Sequence, residues 1–85
     1  GDALRTALEA YSASQVLLEA AQTTYDAALE AYQVGLSSMT LLSEAASGLA
    51  AAKEAHYAAY TAAQIASASL AFAMGEANEY MPHLD

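Results

Sequence analysis

Tyr32-Gln33-Val34-Gly35-Leu36-Ser37-Ser38 stands between two long Ala-rich runs near the middle of an 85-residue chain. Gly35 is the only glycine between Gly1 and Gly48. A glycine after a long periodic run stops a helix, because it enters the left-handed conformation without a Cβ penalty. Ser37 and Ser38 then offer hydroxyls to the unpaired N–H groups of a new helix. The stretch therefore reads as a tight bend between two helices, and the two arms decide the rest.

Upstream, Leu4, Leu8, Tyr11, Gln15, Leu18, Gln22, Tyr25, Leu29 and Tyr32 follow each other at alternating steps of four and three, which is a heptad seam. One residue back runs a second seam of small residues: Ala3, Ala7, Ala10, Ser14, Leu17, Ala21, Thr24, Ala28 and Ala31, with Leu17 its one large member. Downstream the same pair recurs. The bulkier seam is Leu42, Ala46, Leu49, Lys53, His56, Tyr60, Ala63, Ser67, Leu70 and Met74, and the small one Leu41, Ala45, Gly48, Ala52, Ala55, Ala59, Ala62, Ala66, Ser69 and Ala73. This is a weak internal repeat of about forty residues. A helix with two seams asks for two neighbours. The hairpin partner is expected to fill one, and something outside the chain the other.

The expected fold is all-α: two long antiparallel helices in a coiled-coil-like hairpin that self-associates into a helical bundle. Helix one is placed at residues 1–34, the turn at 35–38, helix two at 39–75 with Gly75 as its stop, and a tail or linker at 76–85. Eighty-five residues allow one small domain, and two helices alone cannot enclose a core.

Charge narrows the function. Ten acids against two bases give −8, which repels phosphate backbones and anionic lipid surfaces and argues against nucleic acid. There are no cysteines for disulfide or thiolate chemistry. The first residues show no basic segment followed by an apolar one, so no signal peptide is read there. That leaves a cytosolic chain, or a mature or excised piece of a longer one. Ala55 to Gly75 carries no Asp, Glu, Lys or Arg and is long enough to span a bilayer at roughly 20 residues. His56, Thr61, Gln64, Ser67 and Ser69 are spread through it, however, so it reads as a helix covered by protein and not as a membrane span.

The search for chemistry is negative. His56 and His83 are far apart, and no Glu-x-x-His or His-Glu-x-x-His spacing exists. His56 lies in the bulkier seam beside Tyr60 and reads as a packed, hydrogen-bonded histidine. Asp26 and Glu30, four apart, are neighbours on one helix face, where an exposed pair is ordinarily just solvated. Tyr11, Tyr25 and Tyr32 fall on the heptad seam and read as packing. No catalytic residue, metal site or cofactor site is assigned, and nothing supports an enzyme.

Tyr32-Gln33-Val34-Gly35, then Leu42-Ser43-Glu44-Ala45, Leu49, Ala52-Lys53 and Gly75 together resemble the outer-membrane efflux protein family, the TolC-like export channels. In that family a tyrosine precedes a Val-Gly turn, a Leu-acid-Ala element follows about nine residues later, and a long Ala-rich helix ends at a glycine forty positions past the turn glycine. Gly35 and Gly75 have that spacing. The resemblance covers about residues 3–76. It implies the periplasmic part of an outer-membrane protein of a Gram-negative bacterium: one helical hairpin in the wall of a trimeric export tunnel. It further implies that the turn meets a periplasmic adaptor (membrane fusion) protein, with Tyr32, Val34, Gly35 and Leu36 as the docking tip and Glu44 as a pore-facing charge. Two positions depart. Leu41 stands where the family often has an acid, and Ser37 where it often has a base, so neither a double acidic ring nor a salt bridge from the turn carries over.

Two rival readings are stand-alone modules. One resembles the small type VII secretion substrates, which have a Trp-x-Gly bend and a Tyr-x-x-x-acid tail signal. This chain has no tryptophan, and Tyr80 precedes Asp85 by five positions. The other is a four-helix-bundle dimer of two hairpins, natural or engineered. Self-association is expected in every case, as a trimer in the intact family and as a dimer or higher for this piece alone.

Overall fold

The computed structural model describes residues 2–80 and consists of two helices, α1 (Asp2–Gln33) and α2 (Met39–Tyr80). They fold back on each other into an antiparallel hairpin with extents of 73 × 15 × 14 Å.

The bend forms as its residues dictate. Gly35 adopts φ +79°, the one positive φ among the described residues. Its N–H donates to the Tyr32 carbonyl at 3.1 Å, and the Leu36 N–H donates to the Ala31 carbonyl at 2.8 Å. This pair of bonds is the Schellman arrangement, which satisfies the last carbonyls of α1. Ser38 opens α2. Its carbonyl accepts from the Leu42 N–H at 3.2 Å, and its Oγ accepts from the Leu41 N–H at 3.2 Å, which makes it the N-cap.

The two helices meet along one seam. On α1 the covered positions are Leu4, Ala7, Tyr11, Ser14, Leu18, Ala21, Tyr25 and Ala28, joined beside the bend by Leu29 and Ala31. On α2 they are Leu42, Ala45, Leu49, Ala52, His56, Ala59, Ala63, Ala66 and Leu70. Ser14 is hydrogen-bonded to His56, which fixes the register. Counting outward from that pair sets Leu18 opposite Ala52, Ala21 opposite Leu49, Tyr25 opposite Ala45 and Ala28 opposite Leu42. In the other direction Tyr11 meets Ala59 and Leu4 meets Ala66. A large side chain faces a small one at nearly every level, so knobs fill holes along the hairpin.

This corrects the two-seam reading. The contact line takes every second member of each expected seam and joins them into one. A line built on the bulkier seam alone would have drawn Gln15, Gln22 and Lys53 into the interface. All three are exposed in the structure, which spares the cost of burying them unpaired. The left-over members flank the seam as two shoulders. One carries Leu8, Leu29, Tyr32 and Tyr60, and the other Ala3, Ala10, Leu17, Thr24, Leu41, Gly48, Ala62 and Ser69.

The placement of the second boundary is also corrected. Gly75 does not stop α2, which continues to Tyr80, so the tail expected at 76–85 is helical through residue 80. Gly75 has no positive φ. A glycine inside a helix costs about 1 kcal/mol against alanine, which the good helix formers around it absorb. Residues 81–85, and His83 with them, lie outside the described part of the chain.

Burial is sparse. Among the described residues Leu42, Leu49 and Ser14 are the buried ones, and no large side chain is fully enclosed. No described helix is long and apolar enough to cross a membrane.

Candidate docking tip

The tip is built by the turn described above, and it carries no charged side chain. Residues 31–43 contain no Asp, Glu, Lys or Arg, and Glu30 and Glu44 bracket the stretch. The last turn of α1 has no base and the first turn of α2 has no acid, so no side-chain charge offsets the helix termini that meet there. Leu36 is 83 % exposed, the highest value among the large apolar residues described, and Val34 is 64 % exposed. In the Schellman arrangement the residue at the Leu36 position usually packs back on the helix that it ends. Here that side chain stands in solvent. The hydrogen bonds hold its backbone while its apolar surface stays free.

The sequence-derived tip residues are brought together as one patch. Tyr32, Val34, Gly35 and Leu36 are all exposed at the end of the hairpin. Met39 and Leu41, more than half exposed, extend the patch onto α2. The sequence reading missed these two. The cap at Ser38 carried the signal, because it fixes residues 39–41 as the first turn of α2, whose side chains surround the bend.

Glu44 does not share the tip. It lies on the second turn of α2, exposed, at the edge of a groove lined by Ala21, Thr24, Ala28, Leu41, Ala45 and Gly48. Its carboxylate therefore stands on the small-residue shoulder, set back from Leu36.

A second cluster lies near the middle of the hairpin. The Ser14 hydroxyl donates to the Tyr11 carbonyl at 2.7 Å and lies 3.1 Å from His56 Nδ1. Serine has a single hydroxyl hydrogen, so its oxygen accepts the second bond and His56 Nδ1 carries the proton. The Tyr11 ring stacks on the imidazole with centroids 5.0 Å apart, and Tyr60 tilts against Tyr11 at 5.9 Å. Gln64 Nε2 donates to the Tyr60 hydroxyl at 3.1 Å. His56 is thus a packed and hydrogen-bonded residue of the seam, as its position suggested. Its partner Ser14 was assigned to a different seam and went unrecognised. The charges add little. The ion pair between Arg5 and Asp2, at 3.2 Å, is strongly exposed on both sides, and such pairs contribute at most about 1 kcal/mol. No group of three or more His, Cys, Asp or Glu among the described residues is arranged to hold a metal ion.

Comparison with protein-family models, with curated protein sequences and with solved structures returns no match.

Proposed function

We propose that this chain is a wall hairpin of an export tunnel of the TolC-like kind, and that its turn docks the helical hairpin of a periplasmic adaptor protein. The observation that carries the reading is the tip: an uncharged, outward-facing patch that exposes Val34 and Leu36 on a bend held by the Gly35 and Leu36 N–H bonds and the Ser38 cap. A bend that only connects two helices gains nothing from exposing Val34 and Leu36. A bend that meets a partner gains apolar area at little ordering cost, because its conformation is already set. Within this reading Val34, Gly35 and Leu36 make the contact, Tyr32 and Met39 border it, and Glu44 sits behind it as an acidic group that favours cations. The role is positional, with no bond made or broken.

The test is to titrate the isotope-labelled chain with purified helical hairpins of periplasmic adaptor proteins and follow its amide resonances. Perturbations are expected to centre on residues 31–43 and to vanish in Leu36→Asp. The exposure of Leu36 predicts that this variant keeps its fold. Perturbations spread along α2, or binding unchanged in Leu36→Asp, would overturn the assignment.

A second reading is a stand-alone acidic hairpin module, which the net charge of −8 fits. The two part at the tip, since a self-contained bundle has no use for an exposed Leu36.

A further inference from the structure

The small-residue shoulder ends, away from the tip, in a groove between the helices. Ala3, Ala7, Ala62, Ile65, Ala66 and Ser69 line it. Its volume is about 570 Å³. A cavity of ~150 Å³ already holds a benzene, so this groove takes the side chains of a helical turn or more and not a single group. Ile65 stands on its rim, 62 % exposed.

Two observations indicate what covers it. The first is area. A folded monomer of 8.8 kDa is expected to expose about 4,800 Å². This chain exposes 6275 Å², an excess of roughly 1,500 Å² spread along the whole rod, whereas a standard interface takes about 800 Å² from each partner, so a contact there would extend from the groove along the flanking helix faces. The second is charge. The chain carries −8, yet no Asp, Glu, Lys or Arg lines the groove, and α2 has none from Ala55 to Gly75. A basic partner would be drawn to the acids and would find none here. A second copy, itself at −8, needs a carboxylate-free surface on which to meet its twin.

We infer that this groove is the contact face of a two-fold symmetric pair of hairpins, in which Ile65 of each copy seats between the Ala3–Ala7 and Ala62–Ala66 edges of the other. Such a contact is isologous, so one substitution is felt twice. It lies at the far end from Leu36 and leaves the tip free, so it does not depend on the adaptor reading.

Sedimentation of the 85-residue chain tests this. The wild type is expected to be dimeric at micromolar concentration, the weak end of what interfaces of ~1,600 Å² achieve. Ile65→Glu should raise the dissociation constant on the order of a hundredfold or more and leave a helical monomer. Ala62→Gln, which fills the groove from an exposed position, should do the same and decides the matter if Ile65→Glu does not fold. Leu36→Asp and Tyr57→Glu, both away from the groove, should remain dimeric. A monomeric wild type, or association that survives the groove substitutions, overturns the inference. Loss of dimer in Leu36→Asp would place the contact at the tip and overturn it too.

Discussion

Gly35 shows how much one residue decides. Its φ of +79° lies in the region that side-chain-bearing residues avoid, and a Cβ built there would meet nothing within 4 Å. The requirement for glycine is therefore set by the local backbone and not by a neighbour. Gly35→Ala is expected to lower the unfolding free energy by about 1–2 kcal/mol, measured by urea denaturation, and Gly35→Asn by less, since asparagine visits the left-handed region more readily. Equal losses in the two would mean that contacts and not φ make the glycine necessary. This residue was legible from sequence because a lone glycine followed by two serines has one inexpensive conformation. Ser14 was not. Its hydroxyl caps nothing and belongs to no motif. Its role depends on a histidine 42 positions away, and only the register of the folded pair brings the two together.

Elements were easier to recognise than the way they pair. The 3.6-residue rhythm of α1 and α2 is visible in the chain. The choice of contact line was not, because two overlapping heptad frames, offset by one residue, fit the pattern equally well. Packing resolved it by pairing large with small residues and leaving Gln15, Gln22 and Lys53 outside. The end of α2 was misplaced for a related reason. A glycine is a stop only when the backbone beyond it turns away, and nothing about Gly75 itself shows that. Since α2 runs through it without a positive φ and with open space around it, Gly75→Ala is expected to stabilise the helix by about 1 kcal/mol. Amide exchange around residues 72–78 should slow by roughly fivefold. Faster exchange there would restore Gly75 as a cap.

At the scale of the whole molecule, the hairpin is a rod with little interior. Leu42, Leu49 and Ser14 cannot supply a core of ordinary size, so the stability of the described hairpin rests on many half-covered contacts. The rod separates its surfaces by chemistry. The tip is uncharged between Glu30 and Glu44, the acids from Asp2 to Glu76 sit exposed, and the small-residue groove near Ile65 carries no charge. The sequence exposed the tip, because the turn and the charge-free run coincide there. It did not expose the groove, because Ala3, Ala7, Ala62 and Ala66 come from opposite ends of the chain and become one surface only when the register is set. The proposed adaptor contact and the inferred contact with a second copy therefore fall on separate surfaces, one at the end of the rod and one along its side.

The most direct measurement is site-specific photo-crosslinking. A photoreactive residue is placed at position 36 in one sample and at position 65 in another, each mixed with purified adaptor hairpins. Position 36 should label the adaptor, and position 65 should label a second copy of this chain. Labelling of its own chain alone from position 36, or of the adaptor from position 65, would contradict the account.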